Sequence, residues 1–140
     1  YNCPSFCTVT LRPATVCGYS PRQRLDVIVN ILTNLAFHKR EISIFGGKQL
    51  RPNIHIKDMI RAYELMLSAK DEKISGKIFN IGTGKNHSVK EVADIISKKQ
   101  TFIDPRLGEA QNTLADITQA SNFLNYKPVV NLEDWVRSQL

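Results

Sequence analysis

The sequence has no continuous apolar run of the roughly 18 residues that a membrane-spanning helix requires, so no segment reads as a span. A secretory leader is not visible either, since the chain opens Tyr1-Asn2-Cys3-Pro4 with no basic stretch ahead of an apolar one. Both observations point to a cytoplasmic protein. The absence of an initial Met leads us to expect that the N-terminus lies upstream. Cysteine is scarce: Cys3, Cys7 and Cys17 are odd in number and make a poor disulfide framework. His38, His55 and His87 lie far from them, and a zinc site needs about four ligands, so no metal is expected. The cysteines are expected as small buried hydrophobes of a reducing compartment.

Aromatic residues make up only 8% of the chain and do not interleave with basic ones, which leaves no stacking platform for bases. The net charge of +6 comes from scattered residues, with short clusters at Arg22/Arg24, His38-Lys39-Arg40 and Lys98-Lys99. Such a surface suits an anionic small molecule, and nucleic acid is not the expected partner. A basic nucleic-acid-binding module is the alternative of another class.

Familiar catalytic patterns are missing. Tyr followed four residues later by Lys would put both groups on one helical face, where the ammonium lowers the phenol's pKa. Tyr1, Tyr19, Tyr63 and Tyr126 are instead followed at that spacing by Ser5, Gln23, Leu67 and Val130. Neither Gly-x-Ser-x-Gly nor His-Glu-x-x-His occurs. No catalytic residue is assigned.

What remains is a globular chain, 42% hydrophobic. Phe6 to Arg12 reads as a strand ended by Pro13. Leu25, Ile28, Val29, Leu32, Leu35 and Ala36 recur at helical spacing and predict a helix over 25–39, with Asp26 in its first turn. Glu41 to Phe45 and Asn53 to Ile56 read as two strands of a hairpin turned at Gly46-Gly47. Asp58 is predicted to cap a helix to about Lys70, with His55 bonding nearby backbone. Lys77 to Ile81 is another strand, followed by the turn Gly82-Thr83-Gly84. Ser88-Val89-Lys90-Glu91 is a capping box for a helix to about Lys99. A loop from Asp104 to Asn112 precedes helices at Thr118–Leu124 and after Leu132. The order of elements predicts an α/β fold.

Gly82-Thr83-Gly84 lacks the third glycine of a dinucleotide loop, so a plain turn is expected there. Arg51 and Arg106 are delivered by separate segments, and two guanidinium forks suit one doubly charged group such as a diphosphate.

These residues, taken in order, resemble a known family. Leu11-Arg12-Pro13-Ala14-Thr15-Val16-Cys17-Gly18, Ser20-Pro21-Arg22-Gln23-Arg24-Leu25-Asp26 and Val29-Asn30 are similar to the latter part of the NAD-dependent epimerase/dehydratase family. These are extended short-chain dehydrogenases acting on nucleotide sugars. The resemblance continues through Gly46 to Asp58, Phe79 to Gly84, Ser88 to Glu91 and Arg106-Leu107-Gly108-Glu109. It closes with Ala115-Asp116-Ile117, Leu124 to Pro128 and Leu132-Glu133-Asp134.

It implies the C-terminal part of a Rossmann-type enzyme, with a small mixed α/β substrate-binding domain. Residues 1–24 would be the last elements of the NAD(P)-binding domain. Residues 25–140 would mostly form the substrate domain, with 53–81 partly returning to the first. NAD or NADP would be bound mainly by a missing N-terminal Rossmann part that also carries the catalytic Tyr-x-x-x-Lys. By the same resemblance Pro13, Ala14, Thr15 and Val16 pass near the nicotinamide. Val29 and Asn30 belong to a helix lining the nucleotide or sugar pocket, and Arg51 and Arg106 contact the nucleotide sugar's diphosphate. The intact protein would be an epimerase or dehydratase, with a reductase or a non-catalytic derivative as alternatives, and a homodimer is possible.

Overall fold

The computed structural model describes Cys3 and residues 5–139. Its elements, in chain order, are β1 (Thr10–Pro13), β2 (Thr15–Cys17), α1 (Ile28–Lys39), β3 (Ile42–Phe45), β4 (Leu50–His55), α2 (Ile56–Leu67), α3 (Asp71–Ile74), β5 (Ile78–Ile81), β6 (Asn86–Ser88), α4 (Val89–Ile96), β7 (Gln100–Ile103), α5 (Thr118–Leu124) and α6 (Leu132–Arg137). The fold class is mixed α/β, as expected.

Strand pairing is mostly parallel. β1 pairs with β5, β2 with β4, and β3 with β7, while β4 also takes β6 antiparallel on its other edge. The hairpin expected between β3 and β4 does not form. Gly46 and Gly47 do bend the chain, with φ of 69° and 103°. The buried Gln49 side chain occupies the turn, accepting from Gly47 N at 2.7 Å and donating to the Phe45 carbonyl at 2.6 Å. The amide thereby takes hydrogen bonds that a hairpin ladder would use, and each strand pairs with a distant one.

Two cores lie on either side of the three-stranded sheet. One gathers Cys17, Val29, Leu32, Ile42, Ile44, Val92, Ile96 and Val136, from β2, α1, β3, α4 and α6. The other gathers Ile54, Met59, Phe79, Ile81 and Leu124, from β4, α2, β5 and α5, with Ala14 between β1 and β2 and Tyr126 just after α5. Cys17 and Ile54 sit on adjacent strands but in different cores, and the Cys17 thiol donates to the Ile54 carbonyl at 3.4 Å.

Several local expectations are corrected. Helix α1 starts at Ile28, because Asp26 is held outside it by a two-pronged pair with Arg24 at 2.9 and 2.7 Å. Asp58 does not cap α2. His55 does, its Nδ1 accepting from Lys57 N at 3.3 Å. Asp58 is fully buried in the first turn, accepting from Val129 N and Val130 N at 3.0 Å each. Only Cys17 of the three cysteines is buried; Cys3 is exposed and Cys7 half-buried, and all are free thiols. The Ser88–Glu91 capping box is formed on both sides, at 3.0 and 2.6 Å. Among the described residues no helix is long and apolar enough to cross a membrane, and no cluster of potential metal ligands occurs.

Candidate functional site

A cleft of about 350 Å³ opens where α1, β3 and β4 meet the loop after β7. Three local features build it. Helix α1 turns Ile28, Ile31, Leu32 and Leu35 toward it, positions three and four apart on one face. Ile44 and Phe45 come from β3, and Thr15 from β2. Arg51, Arg106 and Glu109 supply charge on one side, and Asp26 adds a carboxylate just before α1. The cleft is thus an apolar trough with a charged side.

Arg51 is fixed at both guanidinium nitrogens. Its Nη2 donates to Glu109 Oε1 at 2.7 Å, and its Nη1 donates to the carbonyls of Leu50 at 2.9 Å and Ala110 at 2.7 Å. The pair is largely shielded, with side chains 19% and 26% exposed, so it is screened less than a surface pair. Gln49 reaches the other carboxylate oxygen of Glu109 at 3.3 Å. Arg106 lies over the Phe45 ring, its guanidinium carbon 4.5 Å from the centroid. Stacking of this kind leaves the in-plane N–H groups free to donate. Neither arginine is therefore an idle surface charge.

The residues expected from the sequence distribute unevenly. Thr15, Arg51 and Arg106 meet in the cleft. Pro13 and Ala14 line a separate shallow cavity of about 220 Å³ beside Asn80 and Thr113. Val16 packs against the second core. Val29 is fully buried in the first core, so the α1 wall of the cleft is made by its neighbours. Asn30 is 5% exposed, on the border of a separate cavity with Tyr19, Phe37 and Trp135, and its Nδ2 donates to the Arg24 carbonyl at 2.8 Å. Gly82 is a packing position: a Cβ there would meet those of Ala115 at 3.0 Å and Ala14 at 3.3 Å. Gly84, with φ of 70°, makes the turn.

Sequence reasoning gave no role to Glu109, Gln49 or Phe45. A signal was present for the first two, since Glu109 stands three residues after Arg106 and Gln49 two before Arg51. Their contact across distant segments is what spacing could not reveal.

Chemically, the cleft can hold an elongated anion with an apolar end. Two guanidinium groups favour phosphate oxygens, and the trough favours a flat ring.

Comparison with known proteins agrees with this geometry. Residues 3–82 match the model of the NAD dependent epimerase/dehydratase family. An uncharacterized UDP-glucose epimerase of Bacillus subtilis is 34% identical over 94% of this chain and 43% of its own length. The UDP-glucose 4-epimerase of Thermotoga maritima, solved with UDP-glucose, superimposes with a TM-score of 0.81 at 28% identity, covering 95% of this chain and 44% of that one. The UDP-glucuronic acid 4-epimerase of Bacillus cereus, solved with UDP-glucuronic acid and NAD, gives 0.78 at 32% identity, over 94% and 45%. The chain spans less than half the length of these relatives and corresponds to their C-terminal part. With the family match extending over more than half its residues and the relatives' fold shared nearly end to end, the chain belongs to the NAD dependent epimerase/dehydratase family.

Proposed function

We propose that this chain provides the nucleotide-sugar grip of an NAD-dependent sugar-nucleotide epimerase, with a uridine diphosphate sugar as the substrate class. The observation that carries the reading is the convergence of Arg51 and Arg106 in one cleft whose α1 wall, from Val27 to Leu35, is apolar, with Asp26 at its edge. The diphosphate lies against the two guanidinium groups and the base against the α1 trough. The relatives that act on UDP-sugars support the choice of nucleotide.

In this reading Glu109 has two effects. It orients Arg51 before the ligand arrives, which lowers the ordering cost of binding. It also places a negative charge beside the anion, so Arg51 divides its donors between carboxylate and phosphate. Holding the nucleotide end by contacts remote from the reacting carbon is how such a domain contributes to rate.

The residues present fit one edge of a cofactor site. Pro13 and Ala14 form a small wall with Asn80, and Thr15 reaches from the same segment into the cleft. A bound NAD would supply the hydride-acceptor chemistry of the reaction. Pro13, Ala14 and Thr15 would border it, and the acid–base pair would come from elsewhere in the intact protein. Residues 1–24 would belong to the cofactor domain and 25–140 mostly to the substrate domain, with 53–81 partly returning to the first. The second core joins Ala14 to Ile54 and Phe79, in keeping with that return, and also takes in Leu124 and Tyr126.

The test is isothermal titration with UDP and UDP-glucose against wild type, Arg51→Ala and Arg106→Ala. Binding by wild type and loss in both variants is expected. Equal binding by all three would refute the site.

A further inference from the structure

Gln49 carries no charge, yet its side chain touches the supports of both arginines in the cleft. It is 5% exposed and lines the cleft from below the Gly46-Gly47 turn. Its Nε2 donates to the Phe45 carbonyl at 2.6 Å and to Glu109 Oε2 at 3.3 Å, and its Oε1 accepts from Gly47 N at 2.7 Å. Phe45 is the residue whose ring lies against the Arg106 guanidinium, 4.5 Å from centroid to carbon. Glu109 is the residue whose other oxygen, Oε1, holds Arg51 Nη2 at 2.7 Å. One buried amide therefore closes a continuous chain of contacts, Arg106–Phe45–Gln49–Glu109–Arg51.

The backbone of the turn is pinned separately. Gly46 N donates to the Ile103 carbonyl at 2.9 Å, Lys90 N to the Gly47 carbonyl at 2.9 Å, and Val89 N to the Gln49 carbonyl at 3.1 Å. The end of β7 and the start of α4 thus hold the turn from two sides. A glutamine that only satisfied the turn would need its bonds to Gly47 and Phe45 and no more. The remaining donor of the amide instead crosses to a residue 60 positions further along the chain, and ends on the carboxylate that fixes Arg51.

We infer that Gln49 is a positioning residue, which holds the two guanidinium groups in register with each other and thereby selects a diphosphate over a monophosphate. The inference rests on the reading of the cleft as a nucleotide site. A monophosphate is met by one guanidinium fork. A diphosphate engages both, and it gains most when both long side chains are ordered before it arrives. The chain of contacts through Gln49 supplies that order, while Gln49 itself touches no ligand. Only an amide does this here: a carboxylate has no N–H to give Phe45 or Glu109, and it would add negative charge beside the anion.

The experiment measures UDP and UMP binding to the intact protein by calorimetry, for wild type, Gln49→Met and Phe45→Leu. Methionine keeps the length of the side chain and removes the amide. Wild type should prefer UDP. In Gln49→Met both arginines remain, and the ratio of UDP to UMP affinity should fall on the order of fivefold, the cost of ordering one more long side chain. A merely structural role weakens both nucleotides alike and leaves the ratio unchanged. Phe45→Leu removes the seat of Arg106 and keeps the backbone carbonyl that Gln49 binds. It should lower the ratio too, since a lost contact with the base affects both nucleotides, and it decides the matter should Gln49→Met fail to fold. The inference is overturned if the ratio in the folded variants stays within about twofold of wild type while Arg51→Ala and Arg106→Ala lose UDP. If those two alanine variants bind UDP as wild type does, the nucleotide reading of the cleft falls and this inference with it.

Discussion

Asp58 and Val130 are joined at 3.0 Å, carboxylate to backbone N–H, and the same carboxylate holds Val129 at the same distance. The bond ties the first turn of α2 to the segment that leads into α6. It is the reason a fully buried acid is tolerated at this position. Replacing Asp58 by Ala would leave both N–H groups unpaired. The expected loss of stability is about 3 kcal/mol, from two charge-assisted bonds and the orphaned donors. Asn in the same place keeps one acceptor and should lose less. Urea unfolding of the three proteins measures this, and a loss within experimental error for Ala would contradict the role.

His55 supplies a pH dependence. Burial holds its pKa below the usual histidine value, Lys57 pushes the same way, and Asp58 opposes them. In the unfolded chain it takes up a proton near pH 6.5, as model histidines do. Just below that pH the unfolded state binds more protons than the folded one, so stability falls as pH falls. The contribution is complete above about pH 6.5 and is lost as pH falls through the lower folded value. Protonation would also remove the Nδ1 acceptor that caps α2. His55→Asn keeps a capping acceptor and should flatten this part of the curve. Denaturation midpoints between pH 8 and 5 provide the comparison.

The three thiols should separate by reactivity. Burial raises Cys17 to about 12, against a weaker opposing backbone contact. Cys3 is exposed, and its bond with Ser5 lowers its pKa. Since the thiolate is the nucleophile, iodoacetamide at pH 8 should label Cys3 first and Cys17 only on unfolding. Mass spectrometry of the native protein gives the order. Early labelling of Cys17 would mean that the β2–β4 pair opens readily.

Much of this was legible in the chain. The Ser88–Glu91 box marked the start of α4, and Thr118–Leu124 was bounded as found, because these signals are local. Strand β7 was missed, since Gln100 to Ile103 is mostly exposed and shows no alternation. Gly46-Gly47 marked a bend in the chain but not the hairpin expected from it, because the parallel partners of the flanking strands lie far off in sequence. The two arginines stood out by their guanidinium chemistry and separate placement, and the family resemblance assigned them to a nucleotide sugar. Their ion pair and ring contact, with Glu109 and Phe45, depend on tertiary folding and carry no short-range mark.

Gly82 is predicted to resist substitution. A methyl group there would press on Ala14 and Ala115, both Cβ atoms on short side chains that cannot swing away. Tyr126 donates its hydroxyl to the Gly82 carbonyl at 3.1 Å and limits backbone adjustment. Gly82→Ala should cost roughly 1–3 kcal/mol by overpacking. Thermal or urea unfolding checks it, and an unchanged midpoint would show that the contact relaxes freely.

The central claim is that Arg51 and Arg106 grip one diphosphate, and calorimetry with UDP tests it most directly. Each alanine variant should bind on the order of 10- to 100-fold more weakly, the value of a charge-assisted hydrogen bond of roughly 1.5–3 kcal/mol. Lysine at either position should recover only part, because a point charge cannot reproduce the planar fork. NAD affinity of the intact protein, measured alongside, should stay constant. If both alanine variants bind UDP within about twofold of wild type, a difference of under 0.5 kcal/mol, the two arginines do not hold the nucleotide and the account fails.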